Sequence, residues 1–259
     1  MPRTFLATLQ FDGTAFVGWQ RQREGRTVQA ELEAVLGRLA GQSVRAHAAG
    51  RTDAGVHALG LGVSMTLPDR WTPAALNRAL NALLPADCFV TEVRETVADF
   101  QARRAATERR YRYLIGTDRL SRSPFRRRYE WPLGIALDAA RLDVAAGRIM
   151  GTHDFKAFSV LRSKRPHTRC EIREARWALR PADQGMDLTI WADRFLHHMV
   201  RMLVGTMVDV ALGRRALADM DRLLALDPGV RTSPPAPAQG LYFITAVYPD
   251  EWFALPSGS

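Results

Sequence analysis

The stretch AGRTDAGVHALG, residues 49–60, holds Arg51, Thr52, Asp53 and His57 between glycines. An Asp in a glycine-bounded connection most often caps its own turn. Three features point instead to chemistry. Arg51 and Asp53 are two apart, so in extended backbone they project to one side and can pair. An adjacent guanidinium keeps a carboxylate ionised and oriented, as a nucleophile requires. The glycines allow another chain to approach the backbone closely, and charged loops are where scaffolds usually carry function. Elsewhere, Arg201 in HHMVRMLVG is a cation on an otherwise apolar helix face, which is costly without a partner. His57, His197 and His198 fit no common zinc signature, so no metal is expected.

The elements that must position these groups follow from apolar spacing. Phe5, Ala7, Leu9 and Phe11 alternate as a strand ending in an Asp-Gly turn. From Thr27, a plausible N-cap, Val28, Leu32, Val35, Leu36 and Leu39 recur at helical spacing up to Gly41. A strand, the 49–60 loop and a second strand to about Thr66 come next. Thr72 and Pro73 open a helix to about Leu84, and CFVTEVRET is a strand. The first half therefore reads β-α-β-β-α-β.

The second half repeats the rhythm. TERRYRYLIGT is a strand, LDAARLDVAAGRIMG is helical, and residues 170–195 form a hairpin turning near Gly185. An amphipathic helix over roughly 197–213, a shorter one around 217–226, the rigid loop SPPAPAQG and the strand LYFITAVY complete it. The expected class is α+β: two split-βαβ (ferredoxin/RRM-like) subdomains sharing a central antiparallel sheet with helices on one side, residues 1–105 and 106–250. The basic segment 161–168, which contains Pro166, reads as a mobile surface loop.

At 259 residues the chain can bury a sizeable core. No apolar run approaches the roughly 20 residues of a membrane-spanning helix, and the start MPRTFLATLQFDG does not read as a signal peptide, so a cytoplasmic protein is expected. Cys88 and Cys170 are far apart in apolar contexts and read as reduced, structural thiols. The net charge is +9 and the pI about 10.4, with Lys156 and Lys164 the only lysines. A GC-rich codon preference accounts for arginine over lysine but not for the surplus of charge. The clusters at 21–23, 102–113, 122–129 and 161–169 mix arginines with aromatics or turn residues, a texture that suits a polyanion such as nucleic acid.

GRTDAGVHA resembles the active-site motif of the tRNA pseudouridine synthase A (TruA) family. FDGTAFVGWQRQ, RYRY at 110–113, GTHDFKAF at 151–158, FLHHMVRMLVG at 195–205 and APAQGLYF at 236–243 resemble the family's other blocks, in the family's order. The resemblance implies a homodimer that converts uridine to pseudouridine in the anticodon stem-loop of tRNA, at positions 38 to 40, without a cofactor. It makes Asp53 the essential carboxylate. It places Tyr111 at the active-site tyrosine position, where an aromatic platform replaces the stacking of a flipped base. It gives Arg51 the role of assisting flipping and contacting the RNA backbone, Arg201 that of ion partner to Asp53, and Leu241 that of an apolar neighbour of the pocket. Trp19 and Gln20 support the site or the RNA.

The chemistry agrees: a C–N glycosidic bond breaks, the uracil rotates while bound, and a C–C bond forms, with no redox group needed. A carboxylate can attack the anomeric carbon or the uracil ring, or help remove a sugar proton, and the residues do not choose among these routes. The chain departs from the family pattern at Leu61, where Gln is usual, at Met65, where Phe is usual, and at Met202, where Asn is common. Two other readings compete. A catalytically silent RNA-binding protein would need exposed aromatics on its sheet but not Asp53. A nucleoside hydrolase would need a second carboxylate to activate water, and none is paired near Asp53 in the sequence.

Overall fold

The alternation Phe5, Ala7, Leu9, Phe11 places four buried side chains on one face of the first strand, as read from the sequence. A computed structural model describes residues 1–160 and 167–253; all but His167 and Thr168 of the expected 161–168 loop lies outside these residues. In chain order the elements are β1 (Arg3–Phe11), α1 (Val28–Ala40), β2 (His47–Ala48), β3 (His57–Leu67), α2 (Pro73–Leu83), β4 (Cys88–Thr96) and α3 (Ala102–Ala105). They continue with β5 (Glu108–Gly116), β6 (Trp131–Pro132), α4 (Ala139–Arg148), β7 (Gly151–Asp154), β8 (Arg169–Leu179), β9 (Gly185–Ala192), α5 (Met199–Ala211), α6 (Ala218–Leu224) and β10 (Leu241–Val247). The fold is α+β with mostly antiparallel strand pairing, as expected.

The chain forms two compact units, Met1–Arg109 with Phe243–Ser259, and Arg110–Tyr242. In the first unit the strand order is β4-β1-β3-β10, with β2 beside β3. The antiparallel register sets Phe5 opposite Met65, Ala7 opposite Val63 and Leu9 opposite Leu61. Leu61 and Met65, two departures from the family pattern, are therefore fully buried core side chains. Thr27 and Thr72 cap α1 and α2 through their hydroxyls, as their types predict. Leu6 points the other way and packs with Phe100, Ala102 and Ala105, flanked by Tyr248, Trp252 and Phe253. Gly62 makes room there, since a Cβ on it would lie 2.3 Å from the Tyr248 hydroxyl.

In the second unit the order is β5-β9-β8-β7. The hairpin turns where Gly185 has φ +136, a conformation only glycine adopts readily, and a Cβ there would strike the Ile115 carbonyl at 1.9 Å. The long helix starts two residues later than the spacing predicts, because His198 adopts a left-handed conformation, φ 65, and becomes the N-cap.

Glu130, only 2% exposed, is the electrostatic anchor of this unit: Arg126 approaches it at 2.9 Å and Arg180 hydrogen-bonds its other oxygen. Removing one partner of a buried ion pair leaves an uncompensated charge. Glu130→Ala is thus expected to destabilise the fold by about 3–5 kcal/mol, read by chemical denaturation. A smaller loss than from an average surface substitution would contradict the anchor.

Both cysteines are buried free thiols. Burial pushes the Cys88 thiol up to about 12 and Cys170 up to about 11, so neither forms thiolate near neutral pH. Iodoacetamide is expected to label neither in the folded protein and both after unfolding, as mass spectrometry would show.

Candidate active site

Residues 49–57 leave β2 and enter β3 through a loop whose backbone is held from several sides within the first unit. Ala49 N–H donates to Gly62 O (2.8 Å), and the Arg109 guanidinium donates to Ala49 O (3.3 Å). Trp19 N–H donates to Thr52 O (3.1 Å) and Gly55 N–H to Phe16 O (3.2 Å). Val56 N–H closes the turn on Asp53 O at 3.2 Å, with Gly55 at φ +77. Asp53 therefore sits, half-buried, at the first corner of a tight turn, while Thr52 on one side is buried and Arg51 is exposed.

Two glycines of the FDGTAFVGWQ segment form the floor. A Cβ on Gly13 would fall 2.1 Å from Val56 O, and one on Gly18 would fall 2.7 Å from Thr52 O and 3.2 Å from the Asp53 carbonyl carbon. The close approach that glycines permit is thus used by the chain itself, backbone against backbone. His57 completes the clamp: it is buried, and its Nδ1 accepts the Gly13 N–H at 3.1 Å. That tautomer leaves Nδ1 without a proton, although Asp12 Oδ1 lies 3.3 Å away. Gly18 has φ +108, so Gly18→Ala meets backbone strain of about 1–3 kcal/mol besides the steric contact. The expected outcome is a thermal midpoint several degrees lower; an unchanged midpoint would mean that the two segments do not touch.

The pairing of Arg51 with Asp53 expected from their spacing is not formed. Arg51 makes no ion pair among the described residues: residues 51–53 lie in the loop between β2 and β3, outside any strand, and Arg51 is exposed.

The other expected residues lie in the second unit. Tyr111 is 7% exposed and packs edge-on against Phe195, ring centroids 5.0 Å apart. Arg201, in the first turn of α5, donates from Nε to Ala236 O (2.7 Å), while Ala236 N–H donates back to Arg201 O (2.9 Å). Met202, the third departure from the family pattern, accepts the Thr206 hydroxyl at its carbonyl. Leu241, buried, follows the APAQG turn. That turn rests on a residue not singled out from the sequence, Tyr113. Fully buried, it donates its hydroxyl to Pro237 O at 2.7 Å, and a Cβ on Gly240 would lie 2.6 Å from its ring. Burial holds the Tyr113 phenol well above its ordinary value, so it remains a hydrogen-bond donor. Its signal was the repeat in RYRY, which puts Tyr111 and Tyr113 on one face of β5.

Several arginines of the basic clusters are committed to structure. Arg109 donates to the Ala106 carbonyl at 2.7 Å, Arg110 lies over the Trp191 ring at 3.9 Å, and Arg112 hydrogen-bonds Asp187 at 2.7 Å. The polyanion-facing charge has to come from elsewhere. No helix among the described residues is long and apolar enough to cross a membrane.

A glycine-floored Arg-Thr-Asp loop in one α+β unit, and a Tyr-Arg-Tyr strand beside an arginine-bearing helix in the other, define a class. The family model described as tRNA pseudouridine synthase matches residues 7–103 and 145–249, and the chain belongs to this family of isomerases. Its relatives include proteins named tRNA pseudouridine synthase A. That of Myxococcus xanthus is 39% identical over 250 residues, 96% of this chain and 93% of its own length. That of Solidesulfovibrio magneticus is 42% identical over 241 residues, 90% and 87%. That of Yersinia pseudotuberculosis is 36% identical over 248 residues, 96% and 92%.

Proposed function

We propose that this protein isomerises uridine to pseudouridine at positions 38, 39 and 40 of the tRNA anticodon stem-loop, as a cytoplasmic homodimer and without a cofactor. Asp53 is the reacting carboxylate. The observation that carries this reading is its placement: a half-buried carboxylate at the corner of a turn fixed by backbone contacts, in a chain of this family. A catalytic group held by backbone loses little freedom when substrate arrives, which keeps the reacting atoms in register.

The reaction breaks the glycosidic C–N bond and makes a C–C bond to the same sugar, with one proton moved from the ring carbon and one returned to nitrogen. Nothing is oxidised overall, so no redox cofactor enters. The target uridine must leave its stack, at a cost of a few kcal/mol. Tyr111 meets the flipped base, Leu241 is the apolar neighbour, Arg51 holds the RNA backbone in its place, and Arg201 is the charge partner of Asp53. Arg51 suits its role because it is exposed and carries no ion pair among the described residues. In this reading residues 1–105 carry the Asp loop and residues 106–250 the second half of the synthase. The test is to incubate purified protein with unmodified tRNA and map pseudouridines: they are expected at positions 38 to 40, and pseudouridine formed only elsewhere would overturn the site assignment. Light scattering tests the dimer separately.

A further inference from the structure

The segment between β5 and β6 holds none of the candidate site residues named above, yet it is built with care. Ser121 is fully buried and donates to Asp118 O at 2.7 Å. Arg126 turns inward to Asp118 (2.8 Å), Glu130 (2.9 Å) and the Gln184 carbonyl (3.2 Å). Tyr242 donates its hydroxyl to Tyr129 O at 2.6 Å. Arg127 and Tyr129 N–H groups close turns on Ser123 O and Arg126 O, each at 2.8 Å. Gly116 admits the loop, since a Cβ there would strike Ser121 at 2.3 Å.

This frame displays an outer surface of one chemical character. Phe125 is 87% exposed, Leu120 67% and Tyr129 40%, and Arg119, Arg122, Arg127 and Arg128 are all exposed around them. Arg119, Arg122 and Arg127 form no ion pair among the described residues, and the two acids of the segment, Asp118 and Glu130, are taken by inward-facing arginines. Single exposed apolar residues are ordinary. A fixed loop that presents an exposed aromatic ring among guanidinium groups, three of which form no ion pair among the described residues, is not, because each feature is unfavourable unless a partner covers it. The partner that satisfies both is a polyanion with accessible flat bases. Arginine supplies forked contacts to phosphate, and a ring supplies a platform on which any base stacks. A protein partner would need acidic groups around an apolar socket, a demand that RNA does not make.

We propose that residues 119–129 form an RNA-binding surface in which Phe125 stacks on an unpaired or helix-end base of the tRNA while Arg119, Arg122 and Arg127 hold adjacent phosphates. This rests on the reading of tRNA as substrate. It assigns the loop a part in affinity and none in the chemical step.

The test compares full-length unmodified tRNA binding and steady-state kinetics for the wild-type protein, Phe125→Ala, Phe125→Leu, Phe125→Trp and Arg127→Ala. Phe125→Ala is expected to raise Kd and KM at least about 5-fold with kcat and the thermal midpoint unchanged, because stacking of one base on one ring is lost. Phe125→Trp should retain affinity, and Phe125→Leu should behave like Ala. Arg127→Ala should lower the slope of log Kd against log salt by about 1. Equal Kd and KM in all variants, or a Leu variant as good as Phe, overturns the proposal; so does a change in oligomeric state on Phe125→Ala without a change in Kd. If the wild-type protein binds tRNA but makes no pseudouridine, the function proposed above falls while the loop's effect on Kd still decides this one.

Discussion

Asp53→Asn is expected to abolish pseudouridine formation while leaving tRNA binding intact. The amide matches the carboxylate in size, and the contacts that fix the loop are made by backbone atoms: Thr52 O to Trp19, Asp53 O to Val56, and Gly55 N–H to Phe16. None depends on the Asp53 side chain, so the fold and the loop survive the substitution. What disappears is the nucleophilic or basic oxygen. Loss of a reacting side chain typically removes on the order of 10⁴-fold or more of the rate, equivalent to more than about 5 kcal/mol of barrier at 1.36 kcal/mol per decade. A tritium-release or pseudouridine-mapping assay under single-turnover conditions measures it. Turnover within tenfold of wild type would remove Asp53 from the chemistry, and loss of binding along with turnover would show that the side chain holds RNA instead.

The second large effect is on affinity. The net charge of +9 is carried almost wholly by arginine, and the exposed Arg51, Arg119, Arg122 and Arg127 lack ion pairs among the described residues. Each phosphate contact releases condensed counterions. A protein making six to ten of them loses about 10³–10⁵ in affinity between 50 and 200 mM salt. Filter binding or fluorescence anisotropy across that range is expected to show a fall of this size. A flat response would mean that recognition is made of neutral hydrogen bonds and shape, and that the surplus charge serves solubility alone.

Most of the site's address was legible in the sequence, and the reasons for what was not are physical. Apolar spacing located β1, α1, α2 and β3 because each buries one face, and burial leaves a periodic mark. Asp53 stood out because polar residues between glycines have no core to serve. Gly13 and Gly18 left no comparable mark: their contact with residues 52–56 is made by backbone, which has no side-chain period to betray it. The spacing of Arg51 and Asp53 misled for a related reason. Alternation assumes regular strand, and residues 51–53 lie in the loop between β2 and β3 and belong to neither. His198 shortened α5 by adopting a left-handed conformation. The composition of the basic clusters was visible, but not that Arg110 and Arg112 are spent on Trp191 and Asp187 while Arg119 and Arg127 are not. Sorting used from unused charge requires knowing who the neighbours are.

The membership of residues 243–253 in the first unit bears on how the protein is made. The ribosome delivers β1, the Asp53 loop and β4 early, then all of Arg110–Tyr242, and only afterwards the residues that pair beside β3 and cover Leu6 with Tyr248 and Trp252. At a synthesis rate of roughly 5–20 residues per second, the half that carries the carboxylate waits for several seconds with an open edge and an uncovered apolar face. A chain interrupted before residue 243 therefore leaves the unit that carries Asp53 incomplete, so translation itself withholds that unit until the residues after Tyr242 have been made.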